Sequence, residues 1–242
     1  MDEKAKTSYE TIYWGTIEPH GRTISELVEK PEIFRHDPFR NGWCELPMEI
    51  VERLIEKEGH LNGQYKIDRV TTAISQVDLP FYRNARLIRL ADGTWGRPNL
   101  SVYFLAWGKT FLRLNGMSTP IHDTNFKLGI NLNEGNVLDY LRFFCHFVHG
   151  DKGPFMLAET LNQAYLPTNC DAELQALVAD SVHSACFNGM TDDGKYDCTG
   201  IIYYGASLFQ AQFHVYPNGL IEMVDDEPFA QDLKAAVQME LV

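Results

Sequence analysis

A chain of 242 residues, 45% apolar and 22% charged, carries enough apolar side chains to bury a sizeable core, which excludes disorder over most of its length. The formal net charge of −12 is uneven: residues 1–152 hold 19 basic against 20 acidic side chains, whereas residues 153–242 hold two lysines against 13 acids. Such a field repels nucleic-acid phosphate over the last third and favours cations or basic partners there.

The N-terminal residues Met1-Asp2-Glu3-Lys4-Ala5-Lys6 are charged with no apolar stretch behind them, so no secretory signal is expected. Leu100–Trp107, among the longest apolar runs, is strand-sized. The expectation is a cytoplasmic protein without membrane association. The five cysteines, Cys44, Cys145, Cys170, Cys186 and Cys198, include no CxxC pair. That argues against a disulfide framework or a zinc ribbon and for buried free thiols.

Along the chain, Tyr9–Glu18 reads as a strand and Thr23–Lys30 as a short helix stopped by Pro31. Pro47 opens a helix whose inner stripe is Ile50, Val51, Leu54 and Ile55, with Gly59 placed at its C-terminus. Ala85–Ala91, Leu100–Trp107 and Thr110–Leu114 form an antiparallel meander, turning at Asp92-Gly93 and Gly108-Lys109. A long helix follows over about 134–149, then a strand at Phe155–Glu159 and a helix at 171–180. The tail reads as strands at Tyr196–Tyr204, Leu208–Tyr216 and Leu220–Val224.

The fold class is therefore α+β: antiparallel meanders packed with a buried helix and two or three further helices. Residues 1–80 form an N-terminal mixed segment. Residues 81–242 form the α+β core, arranged as two meander-plus-helix units at 85–160 and 170–227.

The helix at 134–149 carries the most chemistry. Val137, Leu138, Tyr140, Leu141, Phe144, Cys145, Phe147 and Val148 sweep a broad apolar arc. Asp139, Arg142, His146 and His149 fall in the narrow remaining gap. Candidate catalytic residues are His146 and His149, with Asp139 and Arg142 beside them, because imidazole suits acid–base work near neutrality. Candidate ligands for a divalent metal are His146, His149 and Asp151. Against this stands a plain structural role, with Asp139 and Arg142 paired at i, i+3 on the wet edge of a core helix.

Other features are secondary. His36-Asp37 and His122-Asp123 match a metal-ligating dipeptide of all-helical phosphohydrolases, but here they read as loop or strand-end residues. Asp225-Asp226-Glu227-Pro228 closes the last strand, and Thr191–Asp197 lacks the alternation of a calcium loop; both read as solvated turns. Arg83, Arg86, Arg89 and Arg97 lie among aromatic residues and are split between strand faces, so pairing with the acidic third explains them better than phosphate binding. Ser207 sits in a turn without a nucleophile-elbow pattern, and Cys145 and His146 point about 100° apart on a helix.

Two functional expectations follow. One is a binding or regulatory protein whose acidic C-terminal surface meets a basic protein surface, nucleic acid being a poor partner. The alternative is a hydrolase-like or metal-dependent enzyme using His146, His149 and Asp151. Self-association is compatible with both.

Overall fold

A computed structural model describes residues 39, 42–61, 65–92, 94–95, 100–164, 166–167 and 170–233. The expected strand at Tyr9–Glu18, helix at Thr23–Lys30, His36-Asp37 and Arg97 lie outside these residues. The fold is α+β, with antiparallel, meander-like sheets and four α-helices among the described residues. No described helix is long and apolar enough to cross a membrane. The chain divides into two compact units. Of the described residues, one takes in those up to Leu79 with Asn84–Asn115, the other Pro80–Arg83 with those from Gly116 onward.

In the first unit, β1 (Cys44–Glu45) precedes α1 (Met48–Glu58), and β2 (His60–Leu61) pairs with β3 (Tyr65–Lys66). Then come β4 (Ala73–Asp78), β5 (Arg86–Asp92), β6 (Leu100–Trp107) and β7 (Thr110–Arg113). The main sheet runs β1-β4-β5-β6-β7, all antiparallel. Strand β4 has no counterpart in the sequence reading, because Ala73-Ile74-Ser75-Gln76-Val77-Asp78 mixes polar and apolar residues on both faces.

Helix α1 forms where its apolar stripe was expected. Leu54 is fully buried, with Ile50, Val51 and Ile55 packed around a cluster of Leu46, Ile67, Ile88, Leu90, Trp95, Val102 and Phe104. Gly59 ends the helix without a left-handed turn (φ −56). Glycine is needed there for room instead, since a Cβ would sit 2.5 Å from the Ile55 carbonyl oxygen.

Strand β5 is buried over six of its seven residues, which accounts for its nearly continuous apolar run. Arg89 is the exception in chemistry, 2% exposed with its guanidinium carbon 4.4 Å from the centre of the Trp43 ring. Asp92 closes the strand by accepting from the Thr71 and Thr72 hydroxyls, each at 2.7 Å, and from the Thr94 amide at 2.8 Å. Arg86 pairs with Asp78 at 3.1 Å. Its partner is thus the neighbouring strand, not the acidic third of the chain.

The second unit begins its helices with α2 (Thr119–Leu128) and α3 (Val137–Phe147). The hairpin β8 (His149–Gly150) and β9 (Gly153–Pro154) leads to β10 (Met156–Leu157), a short 3-10 turn (Leu161–Gln163) and α4 (Ala172–Ser181). The chain ends in β11 (Cys186–Met190), β12 (Tyr196–Tyr204), β13 (Ser207–Val215) and β14 (Ile221–Ala230). The sheet order is β10-β12-β13-β14, with β11 also on β12.

Three differences from expectation stand out. Helix α2 occupies what reads as loop, so His122 and Asp123 are helical residues. Ser207 is the first residue of β13, set by a two-residue turn in which Gly205 and Ala206 both have positive φ (57 and 63), the geometry that suits a tight hairpin. The acidic residues Asp225, Asp226 and Glu227 lie inside β14, which continues to Ala230.

Helix α3 packs against β9, β10 and β11. Val137, Tyr140, Leu141 and Phe143 are fully buried, and Phe147 is 1% exposed. One face of the β12–β13 ribbon is covered at the Ile201, Tyr203 and Leu208 end by Met156, Ala158, Ala164 and Val178. Helix α4 supplies Val178, and its start is capped by Asp171, whose Oδ1 accepts from the Leu174 amide at 2.6 Å.

Candidate functional site

The polar residues of α3 separate into two groups. Asp139 and Arg142 are half-buried and already engaged. The Arg142 guanidinium donates to both Glu159 carboxylate oxygens at 2.9 Å and to Asp139 Oδ1 at 3.0 Å. Glu159 Oε1 also accepts from the Ala185 amide at 2.9 Å. These hydrogen bonds hold Arg142 charged, above its ordinary value, despite its burial. The expected i, i+3 pair exists, and Glu159 makes it a three-residue clamp joining α3 to the segments after β10 and before β11.

The histidines are placed differently. His146 is 2% exposed, its ring edge-on to Phe147 at 4.7 Å between centroids. Helix α3 stops at Phe147 and Val148 is extended (φ −102, ψ 127), so His149 belongs to β8 and leaves the helical stripe. Its amide donates to the Gly116 carbonyl at 2.8 Å. A Cβ on Gly116 would lie 3.2 Å from His149 Nδ1. Burial pushes the His149 imidazole below its ordinary value, which keeps it neutral near neutral pH.

Asp151 is exposed in the β8–β9 turn. Among the described residues, no three or more His, Cys, Asp or Glu side chains gather closely enough to hold a metal ion. His122 lies on α2 with its ring 5.5 Å from that of Phe144, and burial lowers its titration more than Asp123 raises it. Cys145 and Cys198 are buried thiols pushed up to about 12 by desolvation, which makes them poor nucleophiles.

A second polar cluster binds the unit together. Tyr82 donates to Asn125 Oδ1, Asn125 Nδ2 donates to the Tyr140 hydroxyl at 2.8 Å, and Tyr140 donates to the Gly219 carbonyl at 2.6 Å. Burial raises both phenols far above their ordinary range. Each hydroxyl is spent on a neighbour, so the cluster reads as an internal tie.

The exposed chemistry lies on β12, β13 and β14. Register places Asp197 opposite His214 and His214 opposite Glu222; Thr199 opposite Gln212 and Gln212 opposite Asp225; Gln210 opposite Glu227. These side chains share one face, since alternate residues of a strand point the same way. Gln212 Nε2 donates to Asp197 Oδ1 at 2.8 Å, and Tyr216 donates to Glu222 at 3.0 Å. Glu222, Asp225 and Glu227 are exposed, while Asp197 and His214 are half-exposed. No Lys or Arg occurs in any of the three strands. The adjacent Lys195 is held by Asp193 at 2.8 Å.

The alternation of β13 made Gln210, Gln212 and His214 readable as its wetter face. Asp197 and Glu222 become visible as their neighbours only through the register. Comparisons with protein-family profiles, curated proteins and solved structures find no match for the chain.

Proposed function

We propose that this chain is a binding or regulatory protein that engages a basic partner through the carboxylate-bearing face of β12, β13 and β14. The observation that carries this reading is the row of half-exposed Asp197 and exposed Glu222, Asp225 and Glu227 on one face of three strands that contain no cationic side chain. Uncompensated carboxylates on a sheet face attract cationic surfaces, raising encounter rates and favouring a partner of opposite charge. The two lysines among the last 90 residues do not offset that field.

The test is retention of the full chain on a poly-lysine matrix against a neutral matrix, across a salt series. Retention that is present at low ionic strength and lost as salt rises is expected, because exposed charges are screened. The triple variant E222Q/D225N/E227Q should elute at lower salt than the parent. Equal elution of the two proteins would remove this face from the reading, and no retention of the parent at any salt would remove the reading itself.

A further inference from the structure

We propose that Asn188 is a modification site, at which the chain converts its own asparagine to aspartate and isoaspartate through a cyclic imide closed with Gly189. This goes beyond the basic-partner reading and does not depend on it.

The sequence holds five Asn-Gly dipeptides, at 41–42, 62–63, 115–116, 188–189 and 218–219. The last three lie wholly within the described residues. Asn-Gly suits this reaction because glycine has no Cβ to keep its backbone nitrogen away from the preceding side chain. The local chemistry is therefore the same at the three positions, and the fold decides between them.

In the first step the Gly189 nitrogen gives up its proton to solvent base and attacks Asn188 Cγ. An N–Cγ bond forms, the Cγ–Nδ2 bond breaks, and ammonia leaves with a proton taken from solvent. Water then opens the five-membered ring. Attack at Cγ restores the backbone and leaves aspartate. Attack at the Asn188 main-chain carbonyl carbon breaks the original peptide bond and leaves isoaspartate, with the chain running through the side chain. One water is consumed, one ammonia is released, and no electrons change hands.

Closure requires the peptide to swing until the nitrogen meets Cγ. At Asn218 that swing is blocked. Gly219 is buried, its amide donates to the Tyr216 carbonyl at 2.8 Å, and its carbonyl accepts from Tyr140 at 2.6 Å. Asn218 Oδ1 meanwhile accepts from the Leu220 amide at 3.0 Å. At Asn115 the following Gly116 is also buried, and its carbonyl accepts from the His149 amide at 2.8 Å.

Asn188 is exposed and far less restrained. Phe187 faces Cys198 and Gly189 faces Asp197, so Asn188 is the extra residue of a bulge in β11, where the ladder is locally disrupted. Gly189 has φ +130, and a Cβ built on it meets no atom within 4 Å. Asn188 Nδ2 lies 3.4 Å from Asp197 Oδ2 and 3.5 Å from Thr199 Oγ1, beyond the usual hydrogen-bond range. Every residue of β11 is exposed or half-buried, so local opening there costs little. Conversion would set a second carboxylate beside Asp197.

Peptide mapping by mass spectrometry tests this on the full chain, held folded at mildly alkaline pH and digested in acid. Asn188 should gain the amide-to-acid mass about tenfold faster than Asn115 or Asn218, and both aspartate and isoaspartate should appear there. In urea the three rates should converge, because only the fold separates them. A folded-state rate at Asn188 no faster than at Asn115 or Asn218 would overturn the proposal. Aspartate without isoaspartate at 188, or a spread of rates that persists in urea, would overturn it too.

Discussion

Gly219 sits where two side chains, Asn125 and Tyr140, converge. Its φ is +83, and a Cβ there would collide with Asn125 Nδ2 and come within 2.8 Å of the Tyr140 hydroxyl. Both atoms belong to the buried chain of hydrogen bonds, so neither can move without losing a partner. Gly219→Ala should therefore lower the unfolding free energy by about 2 kcal/mol in urea titration. An unchanged midpoint would show that the turn relaxes freely.

His149 gives a second prediction, in pH. Its folded form binds its proton less readily than the unfolded chain because it is buried. Above about pH 6.5 neither state is protonated and the residue contributes no slope. As pH falls below that value the unfolded chain takes up the proton first, so stability declines toward the depressed folded value. His122 acts in the same direction. His149→Asn should flatten the stability profile over that interval, measured by chemical denaturation at successive pH values; a parental slope would assign the decline elsewhere.

Residues of this kind were only partly legible. Asp139 and Arg142 announced their pairing by an i, i+3 spacing that a helix makes local. Glu159 did not, because it reaches Arg142 across 17 residues and a change of element. The departure of His149 from the stripe also has a physical cause: Val148 turns extended one residue earlier, with its amide still bonded to the Phe144 carbonyl.

Elements with strong periodicity appeared where expected. Leu100–Trp107 and Tyr196–Tyr204 form strands with the expected bounds. Helix α2 was hidden because Thr119-Pro120-Ile121-His122-Asp123-Thr124-Asn125 is built of residues with weak helix preference. It is held by tertiary contacts through Ile121, Thr124 and Asn125, all buried. Strand β14 outran its expected end for the converse reason. Asp and Glu are disfavoured in strands, yet on an exposed edge their charges stay hydrated while the backbone pairs with β13.

The clamp between α3 and its neighbours can be weighed by a double-mutant cycle. Arg142→Met takes both guanidinium hydrogen bonds from the largely buried Glu159 carboxylate, and a loss of about 2–3 kcal/mol is expected in equilibrium unfolding. Adding Glu159→Gln should recover much of that loss, because the carboxylate that lost its cationic partner is gone. Additive losses would mean that the two residues are not coupled.

At the scale of the whole chain, the asymmetry of charge written in the sequence becomes a placement of charge in the fold. Thirteen acids in the last 90 residues could have been scattered over loops. Four of them instead lie on β14 and a fifth on β12. Sequence could give the sign and the region of this field. It could not give the face, because facing depends on which strands pair and in what register.

The hydrogen bond from Tyr140 to Gly219 has a kinetic consequence. The turn joining β13 to β14 is bolted to a buried helix, whereas β14 runs on from it through an exposed, bulged stretch. The far end is held as well, because Ala230 is buried in the core and the Leu233 amide donates to the Ala206 carbonyl at 3.0 Å. Opening should therefore begin in the exposed middle of the strand, and amide hydrogen exchange read by mass spectrometry should show the weakest protection between Glu222 and Pro228. Gly219→Ala should spread that weakness toward Ile221 more than it lowers exchange protection in β12. Uniform exchange along β14 in the parent would mean that the strand opens as one piece.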